Sequence, residues 1–151
     1  MISTINIDIF KNTTDAIIHQ ANCHNRMLSG VAAGVSKYYP EAVKIDDTTK
    51  AGDINKLGTF SFVQAKDGKY IYNLYGQYNY GVPNRNTNYE AFYNGLSMIH
   101  EHMILANLKN ASIPYKIGSD RGGASWNVIS AMIYDIFDTS DIDLYICKYT
   151  P

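Results

Sequence analysis

Two glycine-containing segments of this chain carry the residue types that hold phosphate groups. The first covers residues 21–33 and reads ANCHNRMLSGVAA, and the second covers residues 117–126 and reads IGSDRGGASW. Each is predicted to leave a buried strand and to enter a helix. Glycines in such a loop let backbone N–H groups point into a cavity, and the helix N-terminus adds partial positive charge. Two such loops in one small α/β domain predict a pocket that holds a diphosphate from both sides.

Apolar runs and turn residues predict the strands that position these loops. Alternating or continuous apolar residues predict single strands over residues 4–10, 15–21, 111–117 and 142–148. A hairpin is predicted over residues 59–64 and 69–75, because Asp67 and Gly68 form a turn signal between them. Pro114 favours an edge or irregular position for its strand, because proline cannot donate to a ladder.

Helical periodicity predicts the remaining elements. Helices are predicted over residues 31–39, 89–108 and 126–137, and Pro40 is predicted to end the first of them. Residues 41–58 are polar and predict helix remnants and loop, whereas residues 76–88 are rich in turn formers and predict a surface loop. The alternation of hairpins and crossovers predicts an α/β fold with a mixed sheet and helices on both faces.

The composition is that of one globular domain over residues 1–151. Hydrophobic residues make up 46% of the chain and charged residues 18%, and the net charge is −1. Nonspecific nucleic-acid binding is therefore not expected, because no basic face is evident. The chain shows neither a bilayer-spanning apolar run nor a signal-peptide pattern, so we expect no membrane association and a cytoplasmic location.

The cysteine and histidine patterns predict no metal site and no cofactor. Cys23 and Cys147 have neither metal-ligand spacing nor a disulfide framework around them. His19 is predicted in the core, whereas His100 and His102 are predicted to face solvent from the long helix. His24 is the one histidine near the proposed reacting centre, where it is either a general acid, base or nucleophile or a solvated loop residue.

Short segments in a shared order resemble the macrodomain family over nearly the whole chain. The likeness is to the branch that contains small phage-type and yeast-type ADP-ribose-1''-phosphate phosphatases and the terminal ADP-ribose protein glycohydrolase. It implies a three-layer α/β/α sandwich with a mixed, mostly parallel sheet of about six strands. The segments that carry it are residues 8–10, 15–18, 21–23, 29–32, 56–59, 73–78, 89–91 and 113–114, and Gly122-Gly123 followed by Trp126.

The resemblance implies ligand-binding roles in the first half of the chain. Asp8 would accept a hydrogen bond from the adenine amino group and the N–H of Ile9 would pair with a ring nitrogen, although Asp8 could equally end a strand in solvent. Asn22 would contact the distal ribose, with an Asx turn as its structural alternative. Residues Ser29, Gly30, Val31 and Ala32 would face the diphosphate.

The second loop implies further contacts. Arg121 would clamp a phosphate, while Asp120 forms an ion pair with it, binds a ribose hydroxyl or orients an attacking water. Catalytic candidates are therefore Asn22, His24 and Asp120. The remaining ligand-binding candidates of this half are Gln77, Gly118, Ser119, Gly122 and Gly123.

The chain departs from the family pattern in both loops, with Ser119, Asp120 and Arg121 in the second, and at the end of the hairpin. Leu28 replaces a usual glycine, so a side chain occupies a position of close backbone approach. Gln77 and Gly122 stand where the glycohydrolase has its working lysine and aspartate. A lysine-adduct mechanism is therefore not expected, and Gln77 is expected to hydrogen-bond a terminal phosphate or ribose.

Three functions on one pocket follow from the resemblance. The first is hydrolysis of ADP-ribose-1''-phosphate to ADP-ribose and phosphate. The second is removal of ADP-ribose from an ADP-ribosylated protein or nucleic acid. The third is binding of ADP-ribose, or of a related nucleotide signal, without turnover. A rival of another class is an interaction module that binds a partner protein through tyrosines, of which the chain has 13.

Overall fold

A computed structural model of the protein describes residues 1–81 and 85–150. The strands are β1 (Ile2–Ile5), β2 (Ala16–Asn22), β3 (Phe60–Gln64), β4 (Tyr70–Gln77), β5 (Asn110–Pro114) and β6 (Asp143–Cys147). The helices are α1 (Gly30–Tyr38), α2 (Pro40–Asp47), α3 (Tyr89–Leu105) and α4 (Trp126–Phe137). None of the helices in these residues is long and apolar enough to cross a membrane.

The six strands form one mixed sheet in the order β1-β6-β5-β2-β4-β3. Among the five strand pairs of the described residues, β3–β4 alone is antiparallel, which confirms the mostly parallel sheet. Strand β2 pairs with β4 along its whole length, but with β5 only at Ala16–Ala111 and Ile17–Ser112. Because β2 and β5 are parallel neighbours, the two glycine-containing loops that follow them leave the same edge of the sheet.

Helices cover both faces of the sheet, which confirms the three-layer sandwich. Along β2, Ala16 and Ile18 pack on the side of α3 and α4, with Phe92 and Ile133 among their neighbours in one apolar cluster. Ile17 points to the other side, toward a cluster from α1 and α2 that includes Val35. This alternation is the period of two that buries both faces of a central strand.

The strand predicted over residues 4–10 is wrong in its position. The structure ends β1 at Ile5 and forms a short 3₁₀ turn over Ile9–Lys11. Asp8 causes this change, because its Oδ1 accepts a hydrogen bond from the N–H of Phe10 at 3.0 Å and so caps the turn. The alternation of apolar residues continues past the strand without extended pairing.

The polar stretch after Pro40 contains one short helix followed by loop, which agrees with the prediction of helix remnants and loop over residues 41–58. Helix α1 ends at Tyr38, and Pro40 is the first residue of α2 instead of only a stop signal. Proline is tolerated there because the first N–H of a helix has no intrahelical partner. Ala42 and Asp46 are buried on the inner side of α2, so this short helix contributes to the core.

Strand β5 is central, so of the two positions that Pro114 favoured the edge is wrong and the irregular position is confirmed. It lies between β6 and β2, and Pro114 is its last residue. The β2–β5 ladder has already ended two residues earlier, at Ser112, so the missing N–H of Pro114 interrupts no pair with β2.

The predicted surface loop over residues 76–88 is partly wrong. Gly76 and Gln77 belong to β4, and Thr87 is only 2% exposed and forms a bridge with Gln77. Residues 82–84 of that prediction lie outside the described residues. The tyrosines of the hairpin are also partly core residues, because Tyr72 and Tyr75 are fully buried.

The long helix does not present its two histidines freely to solvent. His102 is half-buried, and its Nδ1 lies 2.7 Å from the Tyr72 hydroxyl. His100 is also half-buried, and its Nε2 lies 2.6 Å from the Ser140 hydroxyl. The solvent-facing prediction is therefore wrong, because both faces of α3 near its end meet aromatic or loop neighbours.

His19 is confirmed as a core residue and predicts a pH dependence of stability. It is fully buried, and its Nε2 lies 2.6 Å from Asn73 Oδ1. Asn73 Nδ2 donates to Ala42 O and Ser61 Oγ, so Asn73 Oδ1 is the acceptor and His19 Nε2 carries the hydrogen. Burial lowers the pKa of His19 from 6.5 to about 4.

Between these two pKa values the unfolded chain binds a proton that the folded protein does not. The free energy of unfolding is therefore expected to fall as the pH decreases through this window, by up to about 1.4 kcal/mol per pH unit from this group. Urea unfolding at a series of pH values measures the slope. A His19→Asn variant is expected to lose it, and an unchanged slope in that variant would assign the dependence to other groups.

Candidate functional site

The two glycine-containing loops line one cleft of about 310 Å³ at the carboxyl edge of the parallel strands. The first loop lies between β2 and α1, and the second lies between β5 and α4. The predicted site residues that line this cleft are Asn22, Ser29, Gly30, Val31, Ala32, Gln77, Gly118, Asp120, Arg121 and Gly122. The structure therefore brings together most of the residues that the sequence assigns to a diphosphate pocket.

Asn22 shapes the first loop through both ends of its side-chain amide. Its Oδ1 accepts from the N–H of His24 at 2.9 Å, which is an Asx turn, and its Nδ2 donates to Arg26 O at 2.8 Å. The structural alternative for Asn22 is therefore present. Its remaining donor and acceptor capacity is the part that a ligand could use.

The start of α1 presents unpaired donors to the cleft. Ser29 precedes the helix but its side chain makes no capping hydrogen bond, and Gly30 has a φ of +60°. The N–H groups of Gly30, Val31 and Ala32 donate no hydrogen bond within the described residues, and all three residues line the cleft. Such a free helix N-terminus favours an anion.

A buried lysine supports the first loop from below. Lys56 is 7% exposed, and its Nζ donates to Asn25 Oδ1 at 2.6 Å and to Cys23 O at 3.3 Å. The ammonium also lies 4.8 Å from the centre of the Tyr75 ring. Asn25 has a φ of +58°, so Lys56 holds the loop at a left-handed residue that is not a glycine.

The second loop presents a second set of unpaired donors. The N–H groups of Gly118, Asp120, Arg121 and Gly122 donate no hydrogen bond among residues 1–81 and 85–150, and all four residues line the cleft. Internal bonds, such as Ala124 N–H to Gly118 O at 3.0 Å, give the loop its compact form. Donors from two different loops thus border one cavity, which is an arrangement that favours an anion.

The side chains around the cleft carry a surplus of positive charge. Arg26, Lys116 and Arg121 line it, whereas Asp120 is the only carboxylate among the lining residues of the described chain. This surplus of two charges stands on a chain whose net charge is −1. A cleft with a net positive charge concentrates negatively charged ligands, so the electrostatics also favour an anion.

Asp8 and Ile9 do not line this cleft. Asp8 caps the 3₁₀ turn and Ile9 is buried, while the ring of the next residue, Phe10, lies against Gly34 of α1. The turn that follows Asp8 packs against α1, since Ile9 and Phe10 share an apolar cluster with Val31 and Val35. Its role in adenine recognition stays a prediction.

His24, Ser119 and Gly123 also lie outside the residues that line the cleft. The His24 ring packs edge-on against Tyr78, with 4.7 Å between ring centres, and its Nε2 lies 3.2 Å from Asn79 Oδ1. Gly123 has a φ of +71° and donates its N–H to Asp120 O at 3.2 Å. These contacts indicate that His24 and Gly123 stabilise the conformation of the loops.

The cleft has five further lining residues with polar side chains that were not predicted as site residues: Gln20, Arg26, Tyr80, Tyr115 and Lys116. Arg26 lies inside the first loop and Lys116 immediately before the second, so the loop boundaries were the available signal. The Arg26 guanidinium lies 5.6 Å from the centre of the Tyr80 ring. No local pattern indicates Gln20, because it sits within a buried strand.

Leu28, one of the departures from the family pattern, belongs to the residues that line the cleft. It lines the cavity and is 74% exposed, so its side chain points away from the protein core.

Neither thiol chemistry nor a protein-held metal is supported by the described residues. Burial is the main cause that raises the pKa of Cys23 to about 11, so its thiol stays protonated near neutral pH. No group of three or more histidine, cysteine, aspartate or glutamate side chains in residues 1–81 and 85–150 could hold a metal ion.

Two proteins of similar sequence span most of the chain. An uncharacterized 17.5 kDa protein from the tk–vs intergenic region of Enterobacteria phage T4 is 29% identical over 139 residues, which are 89% of this chain and 86% of the phage protein. The human ADP-ribose glycohydrolase OARD1 is 25% identical over 134 residues, covering 88% of this chain and 81% of OARD1. No protein-family model matches the chain.

Solved macrodomains have the same fold. The macrodomain of Mycobacterium tuberculosis DarG superimposes with a TM-score of 0.82 at 20% identity, covering 100% of this chain and 98% of that one. Thermosipho africanus DarTG in complex with ADP-ribose gives 0.80 at 16% identity, covering 99% of this chain and 43% of that one. The chain therefore has the macrodomain fold, as its short motifs predicted.

Proposed function

We propose that the cleft binds ADP-ribose, with the diphosphate held between the start of α1 and the second loop. The observation that carries the proposal is the pair of unpaired N–H arrays on two loops of one cavity, where cationic side chains outnumber carboxylates. The names of similar proteins support it, because OARD1 is an ADP-ribose glycohydrolase and DarTG was solved with ADP-ribose.

We further propose that the protein hydrolyses ADP-ribose-1''-phosphate to ADP-ribose and phosphate. In this reaction water attacks phosphorus, the ester P–O bond breaks and the sugar oxygen takes a proton. Asp120 is the carboxylate of the described lining residues that could accept the proton of the water. Gln77, the last residue of β4, has an amide and no amine at the position of the glycohydrolase lysine. This side chain supports a reaction without a lysine adduct.

Two measurements test these proposals. Calorimetric titration with ADP-ribose, ADP and AMP is expected to give affinities in that order, and a ligand at a hundred times its Kd should stabilise the fold by about 2.7 kcal/mol. Phosphate release from ADP-ribose-1''-phosphate is expected for the unmodified protein and not for Asp120→Asn. Binding without phosphate release would support a non-catalytic binder, and release of ADP-ribose from a modified protein or DNA would support an ADP-ribosyl hydrolase.

The base-recognition prediction is tested at Asp8. Asp8→Asn keeps an acceptor for the Phe10 N–H but presents an amide N–H where adenine needs an acceptor. The affinity for ADP-ribose is expected to fall about tenfold, which is the loss of about one hydrogen bond to a charged group. The affinity for inosine diphosphate ribose, whose base carries a carbonyl at that position, is expected to change less.

Calorimetry with both nucleotides provides the comparison within one variant. If Asp8→Asn discriminates between adenine and hypoxanthine as the unmodified protein does, the base lies elsewhere. The diphosphate proposal would be unaffected by that result, because it rests on the two loops.

A further inference from the structure

Thr87 lies beneath the second loop and outside the cleft. It is 2% exposed, it forms a bridge with Gln77, and it stands two residues before α3. It is absent from the residues that line the cavity. A ligand in the cleft therefore cannot reach its side chain, and any influence on binding must act through other residues.

Three hydrogen bonds fasten this segment to the second loop. The Thr87 hydroxyl donates to Gly118 O at 2.8 Å, and the Thr87 N–H donates to Gly122 O at 3.0 Å. The N–H of Asn86 donates to the same Gly122 O at 2.9 Å. Gly118 and Gly122 bound the part of the loop whose four free N–H groups border the cleft, so both ends of that part are held.

Gln20 fixes the Thr87 hydroxyl from the central strand. The Nε2 of Gln20 donates to Thr87 Oγ1 at 2.9 Å and to Gln77 Oε1 at 2.7 Å. Because Thr87 Oγ1 accepts from Gln20, its own hydrogen is directed to Gly118 O. A continuous path of hydrogen bonds thus runs from β2 to the second loop, and its other branch orients Gln77 in the cleft.

The glycines of the loop are matched to the Thr87 side chain. A Cβ on Gly118 would lie 3.2 Å from Thr87 Oγ1, and a Cβ on Gly122 would overlap the same oxygen. Gly76 makes room on the other side, because a Cβ there would lie 3.0 Å from Gln20 Cδ. The loop therefore lies close against the Gln20–Thr87 pair without a side chain between them.

We infer that Thr87 is a positioning residue that sets the second loop, through Gln20 and the carbonyls of Gly118 and Gly122, at the height at which its N–H groups meet the diphosphate. The inference rests on the proposed function, since it concerns the same cleft. It assigns affinity for the diphosphate to a buried hydroxyl that the ligand does not touch. ADP and ADP-ribose are affected alike, because both contain that group.

The test compares three variants at Thr87 by titration with ADP and with ADP-ribose. Thr87→Val and Thr87→Ala both remove the hydroxyl, and each is expected to lower the affinity for both nucleotides about tenfold or more. Thr87→Ser keeps the hydroxyl and is expected to restore both affinities to within about threefold of the unmodified protein. Recovery by serine separates the hydrogen bond from the volume of the side chain.

Thr14→Val is the matched control at the opposite end of β2. Thr14 is also buried, and its hydroxyl contacts Ala16 O at 3.0 Å and Ser112 Oγ at 2.7 Å. This variant is expected to lower the Tm without changing either affinity. Unchanged affinity in Thr87→Ala, or an equal loss in Thr14→Val, would overturn the inference. Failure of the unmodified protein to bind either nucleotide would instead overturn the proposed function.

Discussion

Gly122→Ala is expected to abolish ADP-ribose binding while the rest of the fold is retained. A Cβ at this position would overlap Thr87 Oγ1 and lie 2.5 Å from Gly118 O, which is a backbone atom and cannot rotate away. The loop would have to open, and its four free N–H groups would move out of register with the start of α1. We expect an affinity loss of at least about a hundredfold, or about 2.7 kcal/mol, by calorimetry.

Gly68→Ala is the control for the cost of replacing a glycine. Gly68 lies in the turn of the β3–β4 hairpin with a φ of +91°, and a Cβ there would meet no atom within 4 Å. This variant is expected to lose about 1 kcal/mol of stability through backbone strain and no affinity. Normal nucleotide binding by Gly122→Ala would show that the second loop does not hold the diphosphate.

The largest expected effect on stability is that of Lys56→Met. The substitution removes the cation that binds Asn25 Oδ1 and Cys23 O, and it leaves the carboxylate of Asp46, 1% exposed, without its neighbouring positive charge. Each hydrogen bond that involves a charged group contributes about 1.5–3 kcal/mol. The free energy of unfolding, measured with urea, is expected to fall by that order, and ADP-ribose affinity is expected to fall with it.

The pH dependence of this loss follows from Asp46. Burial raises the pKa of Asp46 above its usual 3.8, while the Tyr75 hydroxyl at 2.6 Å and Lys56 lower it. As the pH rises above 3.8, Asp46 loses its proton in the unfolded chain before it does so in the folded protein. The free energy of unfolding therefore falls over this pH range. Without Lys56 the pKa of Asp46 rises further, so the free energy of unfolding continues to fall up to a higher pH.

The destabilisation by Lys56→Met is therefore expected to be smaller near pH 4 than near pH 7. Lys37→Met is the matched control, because the Lys37 ammonium also lies over a tyrosine ring, 5.3 Å from the centre of Tyr38, but both residues are exposed. It is expected to change stability by less than about 0.5 kcal/mol. Equal effects of the two substitutions would contradict a structural role for the buried cation.

The fold was predictable wherever local and long-range preferences agree. Strands β2 and β4 are buried on both faces and read as apolar runs, and Asp67-Gly68 marks the hairpin turn between β3 and β4. The errors arise where one side chain decides the backbone. The Asp8 cap ends an alternation that the pattern alone extends, and Pro40, predicted as a stop signal, is also the first residue of a helix.

The candidate site was predictable in its backbone and less so in its side chains. Glycine-containing loops are local in sequence, so both could be assigned to one pocket from the strands before them. Gln20 could not, because its contacts with Gln77 and Thr87 join residues 57 and 67 positions away. His24 shows the reverse error, since proximity in sequence to the loop does not place its ring among the residues that line the cleft.

The early end of the β2–β5 ladder has a consequence for motion. Beyond Ile17 and Ser112, β2 and β5 form no further pairs toward the carboxyl edge of the sheet. One of the two glycine-containing loops follows each of these two strands. Small opening motions between the halves β1-β6-β5 and β2-β4-β3 are therefore expected where no ladder joins β2 and β5. A nucleotide that contacts both loops would restrain the separation of β2 from β5. We therefore expect slower hydrogen exchange of the amides from Ile18 to Ala21 when the nucleotide is bound.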